Sequence, residues 1–211
     1  MNKHDKYITL FSYFVPFISM IVGLYLVKNV WVAMLGYHFL AVMILIARKQ
    51  RRLMERVFVG GTSGSILFLS ILAALSGVLL YFSSHFIQVP LNLGQMLESM
   101  GLKPANWLLF ILYYSFINPI IEEVYWRGYL GSKVKTLTWS DVCYAGYHPL
   151  VFLKFVAWPW ALVEFVLLLG VAWMWRMIIR KYDGLLLPVL MHLFADLSIG
   201  FAIYLLARSI P

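Results

Sequence analysis

Long apolar runs alternate along this chain with short clusters of charge. No Asp, Glu, Lys or Arg lies between Lys6 and Lys28, between Lys28 and Arg48, between Arg56 and Glu98, or between Lys103 and Glu122. Lys154 to Arg176 holds only Glu164, and Asp183 to Arg208 holds only Asp196. A helix needs about 20 mostly apolar residues to cross the hydrocarbon core of a bilayer. The pattern predicts spans at 7–27, 30–47, 64–87, 106–129, 141–157, 159–179 and 185–207. The fifth is short, and Pro149 and Pro159 interrupt it. Residues 58–64 (FVGGTSG) read as a loop. Residues 88–103 (QVPLNLGQMLESMGLK) read as an interfacial segment with a short amphipathic helix. There is no internal repeat and no low-complexity tract. The fold class is all-α: a polytopic transmembrane helix bundle of about seven spans.

Composition agrees. Of 211 residues, 63% are hydrophobic and 12% charged, about half the charge of a soluble domain. The net charge of +8 fits a membrane topology signal better than a nucleic-acid partner, because of where the cations fall. With seven spans and a cytoplasmic N-terminus, Lys3, Lys6, Arg48, Lys49, Arg51, Arg52, Arg56, Lys133, Lys135, Arg176, Arg180 and Lys181 lie on the cytoplasmic side. Lys28, Lys103, Lys154 and Arg208 lie outside, as the positive-inside rule expects. This orientation requires the fifth span to cross fully. The basic run at 48–52 (RKQRR) is a topology anchor. Cys143 is the only cysteine, so neither an internal disulfide nor a thiolate cluster can form. The first span is too long for a cleaved signal peptide and is expected to be retained.

An ionised group near the centre of a spanning helix costs about 2.5–3.5 kcal/mol, so such residues read as functional by default. All the candidates lie in the second half. In EEVYWR (122–127), Glu123 and Arg127 share a helical face and can pair, whereas Glu122 is rotated about 100° away and stays free. Asn118–Pro119 upstream kinks the helix and frees backbone carbonyls for a polar cavity. In YAGYH (144–148), Tyr144 and His148 share a face; in HLFAD (192–196), so do His192 and Asp196. Each motif alone has a structural reading: a glutamate pair at a frayed helix end, a histidine bonded to a carbonyl, an Asp–His contact steadying the bundle. Together they place two spare carboxyls and two imidazoles on three apolar helices, where clustering around a water-filled cavity satisfies them mutually. Such a set suits hydrolysis, with a glutamate as general base toward water, a histidine to share that water or protonate the leaving amine, and a donor for the oxyanion. Glu164 reads as snorkelling or hydrogen-bonded near the outer end of its span. His4, His38 and His85 read as structural or surface residues.

The three motifs in this order resemble the CPBP family of intramembrane proteases, which includes CAAX prenyl endopeptidases and bacteriocin-processing or immunity-associated proteins. The family pattern is E-E-x-x-x-R, F-x-x-x-H, then H-x-x-x-N or H-x-x-x-D. Gly128 and Leu130 after the arginine, and the DGLLLPVLMH run into the last motif, fit as well. The resemblance covers about 105–208 and divides the bundle into N-terminal helices with an interfacial segment (1–104) and a CPBP-like catalytic helical core (105–211). It implies Glu122 as the water-activating residue, His148 as its partner, His192 and Asp196 on the oxyanion side, and Glu123 with Arg127 as a supporting ion pair. It also implies an active site facing the cytoplasmic side of a multi-pass protein of the cell membrane. The substrate would be a peptide or lipidated protein at the bilayer: a lipidated C-terminus, a bacteriocin leader or a pheromone precursor. Three departures stand out. Tyr144 replaces phenylalanine; Asp196, unlike asparagine, cannot donate to an oxyanion when ionised; and Pro149 disfavours α conformation at His148.

Glu122, His148, His192 and Asp196 could together hold Zn²⁺, but the resemblance favours a glutamate mechanism with no metal or other cofactor. The alternative function is a catalytically inactive immunity or scaffold protein that keeps the polar cavity for binding. A proton-coupled transporter is disfavoured by the absence of internal repeats.

Overall fold

The computed structural model describes residues 3–208, with side chains from Asp5 onward; the side chains of Lys3 and His4 lie outside what is described. The described chain is helical with no strands. In order, α1 is Lys3–Met20, continued by a π-helical turn Ile21–Leu26. α2 is Val30–Ala47, α3 Arg52–Glu55, α4 Ser63–Ser83 and α5 Leu93–Ser99. α6 is Trp107–Phe116 and α7 Asn118–Glu122, the latter running into a π-helical segment, Glu123–Tyr129. α8 is Trp139–Phe152, α9 Trp158–Tyr182 and α10 Leu186–Arg208.

Local chemistry sets several boundaries. Asn29 caps α2 by accepting from the Trp31 and Val32 amides, and Thr62 opens α4 in a reciprocal cap with Ser65. Pro119, in the first turn of α7, cannot donate to the preceding turn, so the helix is broken after Phe116 and restarts at Asn118. Asp183, which ends α9, takes a left-handed conformation (φ 49°) that Asp tolerates better than most residues.

Two ends of the bundle are defined by contacts. At one, Asp5 pairs with Arg48, Arg56 with Asp183 (3.2 Å), and the Leu185 amide donates to the Arg56 carbonyl. At the other, the Val30 amide donates to the Met100 carbonyl, the Tyr25 hydroxyl to the Leu150 carbonyl, and Phe86 meets Trp160 at 4.9 Å between ring centroids. The described cations that the sequence places on the cytoplasmic side gather at the first end, on 48–56, on 133–135 and at the end of α9.

Six helical stretches are long and apolar enough to span a bilayer: Asp5–Leu26, Val30–Ala47, Ser63–Ser83, Pro104–Tyr129, Trp158–Tyr182 and Leu186–Arg208. Six of the seven expected spans are found among these stretches. The fifth expected span, 141–157, is α8 plus a turn; α8 has 14 residues, about 21 Å of helix, which is less than the hydrocarbon core. α8 still runs from the first end, where Asp141 meets Arg176, to the second, where Leu150 meets Tyr25. Pro149 does not stop it, since α8 continues to Phe152.

The apolar surface is turned outward, as lipid requires. Leu67, Phe68, Ile71, Leu75, Leu79 and Phe82 on α4 are all exposed. The two buried residues of α4, Ser70 and Gly77, are small. A Cβ at Gly77 would sit 2.1 Å from the Ser198 carbonyl oxygen, so glycine is what lets α4 and α10 approach this closely. The N-terminal and C-terminal halves therefore share one bundle. In the interfacial segment, α5 tucks Leu93 and Leu97 under the end of α10, in a cluster with Leu102 and Trp107.

Candidate functional site

Three elements bring the polar residues together: the α7–π-helical stretch, α8 and α10. The π-helical winding of Glu123–Tyr129 is a local irregularity of the kind frequently found at functional sites. Glu122, Glu123, Arg127, His192 and Asp196 are all buried.

His192 is the hub. Its Nδ1 lies 3.0 Å from Glu123 Oε1, and its Nε2 lies 3.7 Å from Glu122 Oε2 and 3.5 Å from Asp196 Oδ2. Arg127 reaches Glu123 Oε1 at 3.2 Å, and its guanidinium covers the Tyr144 ring at 3.7 Å from the centroid, with Trp175 at 5.1 Å. Arg127 is thus held by one carboxylate and by two aromatic faces. The Tyr147 hydroxyl donates to Glu122 Oε1. Glu122 Oε2 has no hydrogen-bond partner in the protein, and neither has Glu123 Oε2. Buried polar atoms are seldom left this way.

His148 stands to one side. Its Nδ1 is 2.8 Å from the Tyr144 carbonyl oxygen, which can only accept, so Nδ1 carries the proton and Nε2 keeps a free lone pair. The ring stacks on Tyr147 at 4.0 Å between centroids. Among the described residues no hydrogen bond or ion pair joins His148 to Glu122, His192 or Asp196. The imidazole beside Glu122 is that of His192; Tyr147 bridges Glu122 and His148.

Asp196 is held from a second side. Asn118 donates its amide to Asp196 Oδ2 at 2.9 Å and faces His38 Nε2 with its carbonyl oxygen, also at 2.9 Å. His38 Nδ1 lies 3.0 Å from the Tyr113 hydroxyl, and Tyr114 lies near Asp196. His38 is therefore a buried member of the polar network rather than a surface residue. Its signal was a lone imidazole in the otherwise apolar α2; its partner, 80 residues away, is invisible to any test of helical spacing. Tyr147 was missed because the i,i+4 rule selected Tyr144, whose ring packs on His148 at 4.9 Å and under Arg127.

Glu164 is half-buried, with its Oε2 buried and without a hydrogen-bond partner in the protein. A second buried ion pair, unforeseen in the sequence, lies at the basic end. Asp141 meets Arg176 at 2.7 Å, and Arg176 also donates to the carbonyls of Val134 and Thr136 (2.6 Å for the latter). Burial alone would raise the Asp141 carboxyl; Arg176 and the Thr138 amide and hydroxyl outweigh it and hold the group below its usual value.

Among the described residues, no three His, Cys, Asp or Glu side chains are gathered so as to hold a metal ion. Glu122, His148, His192 and Asp196 do not fit a metal centre as arranged: His148 is apart, and Asp196 Oδ2 is engaged by Asn118.

Residues 104–198 match the family model described as Rce1-like, type II CAAX prenyl endopeptidase Rce1-like. The match is consistent with the CPBP resemblance, and it spans all three motifs. No curated protein and no solved structure matches the chain.

Proposed function

We propose that this multi-pass, Rce1-like chain is a CAAX-type intramembrane endopeptidase. The observation that carries the reading is Glu122 Oε2: a buried carboxyl oxygen with no hydrogen-bond partner in the protein, beside an imidazole and inside the family-matched segment. Its substrate is a peptide bond in a lipidated protein C-terminus held at the bilayer. By the positive-inside rule, the basic end faces the cytoplasm. The site opens to that side of the cell membrane.

Each residue has a role under this reading. Glu122 Oε2 takes a proton from a water molecule whose oxygen attacks the scissile carbonyl carbon. Tyr147 fixes the other oxygen and so orients the carboxyl. His148 offers its Nε2 lone pair to the same water. When the C–N bond breaks, the proton taken up from water passes to the leaving amine. His192, held by Glu123 and Asp196, presents an N–H to the developing oxyanion. Arg127 offsets the charge of Glu123, and Asp196 aims the ring rather than donating to the oxyanion itself. No step needs a metal.

The test is incubation of the purified protein in lipid with a farnesylated peptide ending in a CAAX sequence, with products read by mass spectrometry. Cleavage that survives a metal chelator and fails with the unprenylated peptide is the expected result. Chelator-sensitive cleavage restored by Zn²⁺ would replace the metal-free mechanism. Tight binding of the lipidated peptide without cleavage would overturn the protease reading in favour of an inactive binding protein.

A further inference from the structure

We infer that His38 on α2 is a positioning residue for Asp196, acting through Asn118. The inference rests on the protease reading for its functional consequence, and on geometry alone for its structural one.

Four groups from four elements, α6, α2, α7 and α10, lie in line. The distances are 3.0 Å from the Tyr113 hydroxyl to His38 Nδ1, 2.9 Å from His38 Nε2 to Asn118 Oδ1, and 2.9 Å from Asn118 Nδ2 to Asp196 Oδ2. From Asp196 Oδ2 it is 3.5 Å to His192 Nε2. Hydrogen-bond direction is fixed along the whole line. Asp196 Oδ2 accepts, so the Asn118 NH₂ must face it and the Asn118 carbonyl oxygen must face His38. That oxygen can only accept, so His38 Nε2 carries a proton. His38 Nδ1 is then the acceptor of the Tyr113 hydroxyl. Every donor points toward Asp196. Reversing the Asn118 amide would set its oxygen against the carboxylate and lose that bond.

This arrangement gives a physical account of aspartate at position 196. The carboxylate takes up an amide donor from Asn118 and leaves its remaining capacity for the imidazole. Asn118 stays oriented because His38 is buried and packed against Tyr113, ring on ring at 5.6 Å between centroids. Besides Asn118, the groups facing Asp196 are His192 on its own helix and Tyr114 on α6, with Glu122 and Glu123 beyond. Asn118 is held in turn by His38, which lies outside the family-matched segment. His38 is thus a contribution of the N-terminal helices to the site.

The test compares wild type with His38→Leu and His38→Gln. Glutamine keeps an amide N–H at about the reach of the imidazole Nε2, and leucine removes the donor at similar volume. On the farnesylated peptide, His38→Leu is expected to lower kcat by 10- to 100-fold, leave KM within about threefold, and change the shape of the kcat–pH profile. His38→Gln is expected to recover most of the loss. Equal losses in both variants with an unchanged pH profile would make His38 a packing residue and overturn the inference, as would a His38→Leu enzyme with wild-type kcat. A second readout needs no activity. ¹⁵N spectra of histidine-labelled protein should show His38 as the Nε2–H tautomer, and Asn118→Leu should abolish that signature while Tyr113 remains. If no peptide is cleaved but the tautomer and its dependence on Asn118 are seen, the positioning geometry stands and the protease reading falls. A wild-type His38 protonated on Nδ1 alone would sink the relay whatever the activity.

Discussion

Two buried carboxylate–arginine pairs in this bundle are built on opposite plans. Asp141 and Arg176 satisfy each other and their surroundings. Asp141 bonds the Thr138 amide and hydroxyl at 2.8 Å each, and Arg176 reaches both Asp141 oxygens and the carbonyls of the 131–138 loop. Glu123 and Arg127 do not. They share a single 3.2 Å contact, the Arg127 guanidinium lies over the Tyr144 and Trp175 rings, and oxygens of both Glu122 and Glu123 have no hydrogen-bond partner in the protein. A fully satisfied polar network rigidifies a fold, whereas an under-satisfied one costs stability and persists only where something else requires it. The first pair ties the loop between α7 and α8 to α9. The second borders the candidate reaction site.

Variants can separate the two plans. The largest effect is expected from Glu122→Gln, which keeps shape and removes the base. Cleavage should fall by two or more orders of magnitude, with thermal unfolding in detergent unchanged. Retained cleavage would end the assignment of Glu122. Next come the partners of the buried arginines. Asp141→Asn leaves Arg176 buried without its counter-charge and should cost about 3–5 kcal/mol, seen as a large drop in melting temperature and faster proteolysis within 131–138. Glu123→Gln should destabilise by less than this, because aromatic faces still hold Arg127. If the ranking reversed, the contrast between the pairs would be wrong. A third effect concerns pH. The Asp141 carboxyl is held below its ordinary value of about 3.8, so its contribution to stability is complete above that pH and is lost as pH falls through the folded value. The melting-temperature advantage of wild type over Asp141→Asn should therefore be flat near neutrality and shrink below about pH 3.8. An advantage that grew on acidification would contradict the sign. Smallest of all, Asp183→Asn removes an ion pair whose aspartate side chain is fully exposed. It should leave melting unchanged.

How much of this was legible in the sequence follows from the range of each contact. The helices were legible, because apolar runs of spanning length declare themselves. So was the pairing of Glu123 with Arg127, which meet within one helical turn. The C-terminal end of α8 was not legible: its apolar run continues through a turn, 153–157, that hydropathy does not distinguish from helix. Tyr147, Asn118 and His38 were out of reach for a different reason. Their partners lie 25, 78 and 80 residues away, and only the packing of α2 and α8 against α7 and α10 brings them together. Arg176 was legible only as one of the cytoplasmic-side cations; the fold turns it inward onto Asp141.

The most direct measurement is a side-by-side determination of cleavage rate and melting temperature for Glu122→Gln and Asp141→Asn, purified in one detergent and assayed below both melting points. The account predicts a crossing. Glu122→Gln melts like wild type and does not cleave, while Asp141→Asn melts far lower and, while still folded, cleaves within a few-fold of wild type. A Glu122→Gln protein that cleaves normally, or one that melts as early as Asp141→Asn, would contradict it.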